Sequence, residues 1–222
     1  APVTAPRGIV HPKVWVVRYQ SAEGDEKRMR VISASRNLTF DTSWDTVLVL
    51  EESVDGRGAD LGPVADMFDG LMGASKPSNE TAHRERVRSL NESIRGTRFS
   101  LPEGIDELRV HVMGLGNSSS PLPKDADRSL VVSPFVSDGF FTKVYRGPID
   151  TLVSRPEQLD ALKPESLAKV ESVKFFDDGS SFIQTDDEAK RTLSDPARPL
   201  RGLHAKIFAY EVGREAHVFV GS

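Results

Sequence analysis

Two short segments carry the same pair of reactive side chains at the same spacing: His11-Pro12-Lys13 near one end of the chain and His204-Ala205-Lys206 near the other. Imidazole can act as nucleophile, acid or base near neutral pH. A lysine two residues further along an extended chain shares its face and sets a positive charge beside it. A serine follows each pair: Ser35, with Asn37 two residues on, after the first, and Gly221-Ser222 after the second. Cleaving a phosphodiester without a metal calls for such a set. One imidazole attacks phosphorus, and a second protonates the leaving oxygen and then activates water. Ammonium groups with Ser and Asn donors hold the charged phosphoryl oxygens. Against this stands the plainer role of a single strand histidine, which is to be a hydrogen-bonded structural residue.

The elements that must position these residues follow from periodicity. Residues 8–20 and 203–210 read as strands that carry the two His-x-Lys pairs. Strands at about 28–34 and 216–220 follow them, the second after a Gly-Arg-Glu turn. A further strand is expected at 46–51, then a linker at Gly56-Arg57-Gly58. From Leu61 the period becomes helical, with Val64, Met67, Phe68, Leu71 and Met72 on one face and Gly73 at the end. A second helix to about residue 95 begins at Ser78 or Asn79. It has a thin apolar stripe (Val87, Leu90, Ile94), and its Arg84, Arg86, Arg88 and Arg95 are expected in solvent. This helix pair reads as an insertion or lid. Residues 107–113 read as a strand, followed by strands at 129–134, 150–153 and 172–176 with helices at 138–145 and 156–170. The alternation indicates an α/β layer with a mixed, largely parallel sheet flanked by helices. Three regions are expected: 1–58 with the first His-x-Lys pair, 59–127 as a helical insertion, linker and strand, and 128–222 with the second pair.

Bulk composition narrows the field. The 222 residues carry 29 Lys plus Arg against 33 Asp plus Glu, a net charge of −4, which argues against a broadly cationic nucleic-acid binder but not against a local basic patch. With no cysteine, disulfides and thiolate metal sites are excluded. No apolar run reaches membrane-spanning length and the Pro-broken start is not a signal peptide, so a cytoplasmic location is expected.

The two copies resemble the phospholipase D superfamily, whose signature is H-x-K-x4-D, a short spacer, then G-S-x-N. The residues 130–144 (LVVSPFVSDGFFTKV) and 149–162 (IDTLVSRPEQLDAL) are similar to the lobe before the second motif in bacterial members. The resemblance covers most of 8–50 and 128–222. It implies two pseudo-symmetric lobes, the first only partly present, and a cofactor-free mechanism through a phosphohistidine. Catalytic roles fall on His11, Lys13, His204 and Lys206, phosphate contacts on Ser35, Asn37 and Ser222, and supporting roles on Glu211 and Gly221. By analogy His11 is the nucleophile and His204 the acid/base. The departures are specific. The motif Asp is Arg18 in the first copy and Glu211 in the second, and the Gly before Ser35 is Ala34. Trp44-Asp45-Thr46 occupies the place of the usual Asn-x-Glu. The second Asn would lie past Ser222, so the sequence reads as a piece of a longer protein.

The function implied is a metal-independent phosphodiesterase, a bacterial nuclease-type enzyme acting on nucleic acid and associated with a helicase or a defence system. The alternatives are a phospholipid head-group hydrolase and a degenerate, non-catalytic binding module. Other patterns read as structural. His83, His111 and His217 are surface or strand residues, and Gly114-Leu115-Gly116 opens an ordinary loop because prolines follow it instead of a helix. The acidic residues 177–188 form a solvated loop, and the Asn-x-Ser/Thr triplets at Asn37, Asn79, Asn91 and Asn117 are chance matches.

Overall fold

The computed structural model describes residues 10–37, 43–74, 81–115, 119–175 and 202–221. The chain is mixed α/β and divides into two compact units, one of residues 1–33 with 48–121, the other of 34–47 with 122–222.

In the first unit, strands β1 (Val14–Gln20) and β2 (Lys27–Ala34) pair antiparallel, with Val14 opposite Ser33 and Gln20 opposite Lys27. Strand β3 (Val47–Glu51) lies on the other side of β2. Its direction follows from the flanking bonds: Ser35 N–H donates to Thr46 O and Glu52 N–H to Met29 O, an antiparallel order. Along β2, Met29 and Val31 are buried while their neighbours Arg28, Arg30 and Ile32 are less so, so one face of the sheet is apolar.

Helices α1 (Gly62–Ala74) and α2 (Thr81–Gly96) supply the other half of that core. Leu61, Val64, Ala65, Ile94 and Phe99 close on Met29, Val31 and Leu50. The short pair β4 (Ala59–Asp60) and β5 (Arg98–Phe99) ties the two ends of this helical segment together. The helix pair is therefore core and not the lid its thin stripe suggested. Two or three apolar side chains per helix are enough to bury them against this sheet face. Arg95 is exposed as expected, yet it bridges the helices through Asp66 at 2.5 Å and Asp69 at 2.8 Å. Residues 107–113 are not a strand. Leu108, Val110 and Val112 pack on the core while their neighbours face out, so the period of two reports alternate burial of an extended chain without ladder pairing.

The second unit is built on a five-stranded sheet of β6 (Arg128–Val132), β7 (Ile149–Ser154), β8 (Val170–Phe175), β9 (Ile207–Val212) and β10 (Glu215–Val220), ordered β10-β9-β6-β7-β8. β6, β7 and β8 run parallel, whereas β9 is antiparallel to both β6 and β10. The sheet is thus mixed, with parallel order confined to three strands. Gly213, at φ +62°, makes the tight β9–β10 turn that a side chain would strain.

The expected helix at 156–170 is two short ones, α3 (Pro156–Asp160) and α4 (Pro164–Leu167). Pro164 has no N–H and its ring clashes with the carbonyl four residues back, so it ends one helix and begins the next. With a π-helical turn at Phe140–Val144, these pack on Val131, Leu152 and Tyr210. Among the described residues the helices cover one sheet face, and the other exposes Leu130, Val218 and Val220. No helix among the described residues is long and apolar enough to cross a membrane.

Candidate functional site

His204 and Lys206 do not lie on a strand; β9 begins one residue later, at Ile207. The β6–β9 ladder ends at Val132 opposite Ile207, because β6 leaves the sheet at Ser133-Pro134. The upstream backbone pairs with Trp44 instead. Trp44 O accepts from His204 N–H at 2.7 Å and Ala205 N–H at 2.9 Å, and Trp44 N–H donates to Gly202 O at 2.8 Å. These bonds satisfy the His204 and Ala205 donors that the ladder leaves out. Ala205 turns into the core, and His204 and Lys206 stay half-buried on the opposite side of the segment.

The residues around this segment form one connected cluster. Lys206 Nζ donates to Ser35 O at 2.9 Å, and the Ser35 hydroxyl bonds Asp45 Oδ1. Asp45 also accepts from Thr46 N–H at 2.8 Å and lies 3.4 Å from Arg36 Nε, whose side chain is only 9% exposed. Arg155 Nε donates to Leu203 O at 3.0 Å. The Phe135 ring meets the His204 ring edge-on at 6.2 Å between centroids. Burial, then Arg155, Lys206 and Arg36, push the His204 imidazole below the ordinary histidine range, and Asp45 opposes them weakly. The imidazole thus stands among three cations and one carboxylate, surroundings that favour its neutral form. Such a cluster suits an anionic group.

Topology explains why these residues meet. Phe135 follows the end of β6, Arg155 follows the end of β7, and His204 precedes β9, which is antiparallel to β6. All three therefore stand at the edge formed by the carboxyl ends of the parallel strands, where ligands of open α/β sheets bind.

The first pair is placed differently. His11 and Lys13 belong to the first unit and precede β1, whose ladder starts only at Val14. Pro12 has no N–H to contribute to a ladder, in keeping with pairing that begins only after the pair. Lys13 is buried, with Nζ 2.8 Å from His11 Nδ1 and 3.0 Å from Nε2, and His11 is exposed. Arg18, at the position of the motif Asp, donates to Ser93 Oγ at 3.0 Å and Ser89 Oγ at 3.2 Å on α2.

The remaining expected residues divide. Asn37 is exposed beside Arg36, which donates to its carbonyl at 3.3 Å. Glu211 lies at the other end of β9 from His204 and pairs with Arg128 at 3.2 Å, so it is not brought to the cluster. Gly221 is half-buried just past β10. Ser222, the acidic loop at 177–188, and Asn79 and Asn117 lie outside the described residues. His83 is half-buried on α2, His111 is exposed, and His217 sits 3.5 Å from Glu215. Asn91 is buried and donates to Asp69 at 2.7 Å, a structural role. Arg36, Asp45, Phe135 and Arg155 were not among the expected site residues; position after a parallel strand was the available signal for Phe135 and Arg155.

The protein is a two-unit α/β chain whose second unit gathers an imidazole and three cations at a sheet edge. No family model, curated protein or solved structure matches this chain.

Proposed function

We propose that the chain is a metal-independent phosphodiester hydrolase of the phospholipase D-like kind, acting on nucleic acid, and that His204 is its nucleophile. One observation carries this reading: a half-buried imidazole with Arg36, Arg155 and Lys206 gathered around it. In the first step an imidazole nitrogen attacks phosphorus and the bond to the leaving oxygen breaks, that oxygen taking a proton from an acid. Water then attacks the phosphohistidine, releasing a phosphomonoester and restoring the imidazole. The cations neutralise charge on the phosphoryl oxygens in both steps.

This reverses the roles drawn by analogy for the two histidines. The surroundings of His204 favour its neutral form, which suits a nucleophile better than an acid. The second imidazole that the resemblance calls for is His11.

The test is adduct trapping with a labelled oligonucleotide in EDTA, followed by an alkaline quench and peptide mapping. The expected adduct is on the peptide containing His204, and His204→Ala abolishes it together with turnover, by about a thousandfold or more. His11→Ala is expected to slow turnover yet still allow the adduct to form on substrates with good leaving groups. An adduct on His11 alone would reverse the assignment. Binding without adduct or cleavage would make the chain a non-catalytic module, and head-group release from vesicles with nucleic acid left intact would make it a lipid enzyme.

A further inference from the structure

Phe135 has an environment that packing does not explain. Its neighbours Pro134 and Val136 are buried, yet Phe135 itself is 58% exposed. The turn that presents it is held firmly. Ser133 N–H donates to Val153 O at 3.0 Å, Ser154 Oγ donates to Ser133 O at 2.7 Å, and Phe135 N–H donates to Ser133 Oγ at 3.3 Å. The ring stands 5.4 Å from the Arg155 guanidinium carbon and 5.8 Å from Lys206 Nζ, two of the cations around His204. A rigidly held aromatic ring at the rim of a cationic site loses little conformational freedom when a planar group settles on it.

We infer that Phe135 is a base-stacking platform beside His204, and that it biases the chain toward single-stranded over duplex nucleic acid. The inference rests on the phosphodiester reading of the His204 cluster and gives that site its substrate form. A phosphate held by Arg155 and Lys206 leaves the attached nucleoside within reach of the Phe135 ring. Stacking on an aromatic face accepts any base, because every base has a π-face. Within a duplex those faces are already covered by neighbouring pairs, so a platform of this kind selects unpaired strands. A bilayer is the less suitable partner. The Phe135 ring protrudes between chain neighbours that point into the protein, and two cations lie against it, whereas membrane insertion needs a continuous apolar surface.

The full chain is titrated by fluorescence anisotropy with a twelve-residue oligothymidylate, the matching abasic strand and a duplex of equal length, all phosphorothioate-linked to slow cleavage. The expected result is that oligothymidylate binds about tenfold or more tighter than the abasic strand, and tighter than the duplex. Phe135→Leu, with its fold checked by thermal melting, brings the ratio of the two single strands toward one, and Phe135→Trp restores it. Equal affinity of the wild type for the two strands, or a ratio that survives in Phe135→Leu, overturns the platform. The phosphodiester reading is scored separately, by the His204 adduct, and stands or falls without this result. Phe135-dependent binding to phosphatidylserine vesicles with no base-dependent strand binding overturns it in favour of a membrane contact.

Discussion

Lys13 and Lys206 occupy the same place in the same three-residue frame, and their surroundings differ. Lys13 is buried and bonds the imidazole of its own segment, His11. Lys206 reaches to the carbonyl of Ser35, far off in sequence, and stands with Arg36 and Arg155 around His204. In the first unit the ladder partner of the motif strand is β2, in an antiparallel sheet backed by two helices. In the second, the segment enters a mixed sheet at the carboxyl ends of parallel strands, where loops from β6 and β7 converge on it. The spacing His-x-Lys brings an imidazole and an ammonium near each other in both. What the imidazole then faces is decided by the loops around it.

Three changes sharpen that contrast, beginning with the largest. Phe99 is fully buried in the core shared by the first unit's sheet and helix pair. Phe99→Ala is expected to cost about 3–5 kcal/mol in denaturant unfolding; a cost below about 1 kcal/mol would return the helices to an appended role. Asp45→Ala removes the acceptor of Ser35 and the counter-charge of Arg36 in the second unit. A loss of about 2–3 kcal/mol is expected, with Asp45→Asn milder because it keeps an acceptor. A near-neutral Asp45→Ala would mean that the cluster holds itself together without its carboxylate.

The smallest effect is in pH. The folded His204 titrates below its ordinary value of 6.5, so the unfolded chain takes up the proton first as pH falls. The stability contribution is complete above 6.5 and is lost on acidification until the folded value is passed. His204→Asn should lack this loss, which a series of denaturant titrations at decreasing pH would show. The same direction places the acid limb of kcat/KM below 6.5 if neutral His204 attacks phosphorus. A rate that instead rises as His204 gains its proton would make it the acid.

Much of the fold was legible as alternation. The strand expected at 28–34 became β2 at Lys27–Ala34, and that at 46–51 became β3 at Val47–Glu51. The strand at 150–153 became β7 at Ile149–Ser154, and the last became β10 at Glu215–Val220. Misreadings had identifiable causes. Pro12 and Pro164 were visible breakers, one shortening β1 and the other splitting a helix. Alternation at 107–113 was real, but burial against a core imitates pairing in a ladder. In the candidate site, His204, Lys206 and Ser35 could be picked out from type and spacing. Arg36, Asp45, Phe135 and Arg155 could not, because an arginine after a strand is ordinary until the strands are ordered.

The sequence by itself determined the local matters. It set which stretches alternate, where proline and glycine forbid a ladder or permit a turn, and that an imidazole and an ammonium recur two residues apart. Side-chain volume and backbone stereochemistry act over a few residues, so they can be read along the chain. Strand order, the pairing of Trp44 with residues 203–205 and the gathering of three cations on His204 were decided by tertiary structure. Trp44 and Arg36 come from more than a hundred residues before His204, and Arg155 from about fifty. Charge, desolvation and hydrogen-bond direction depend on distance in space, which sequence separation does not record.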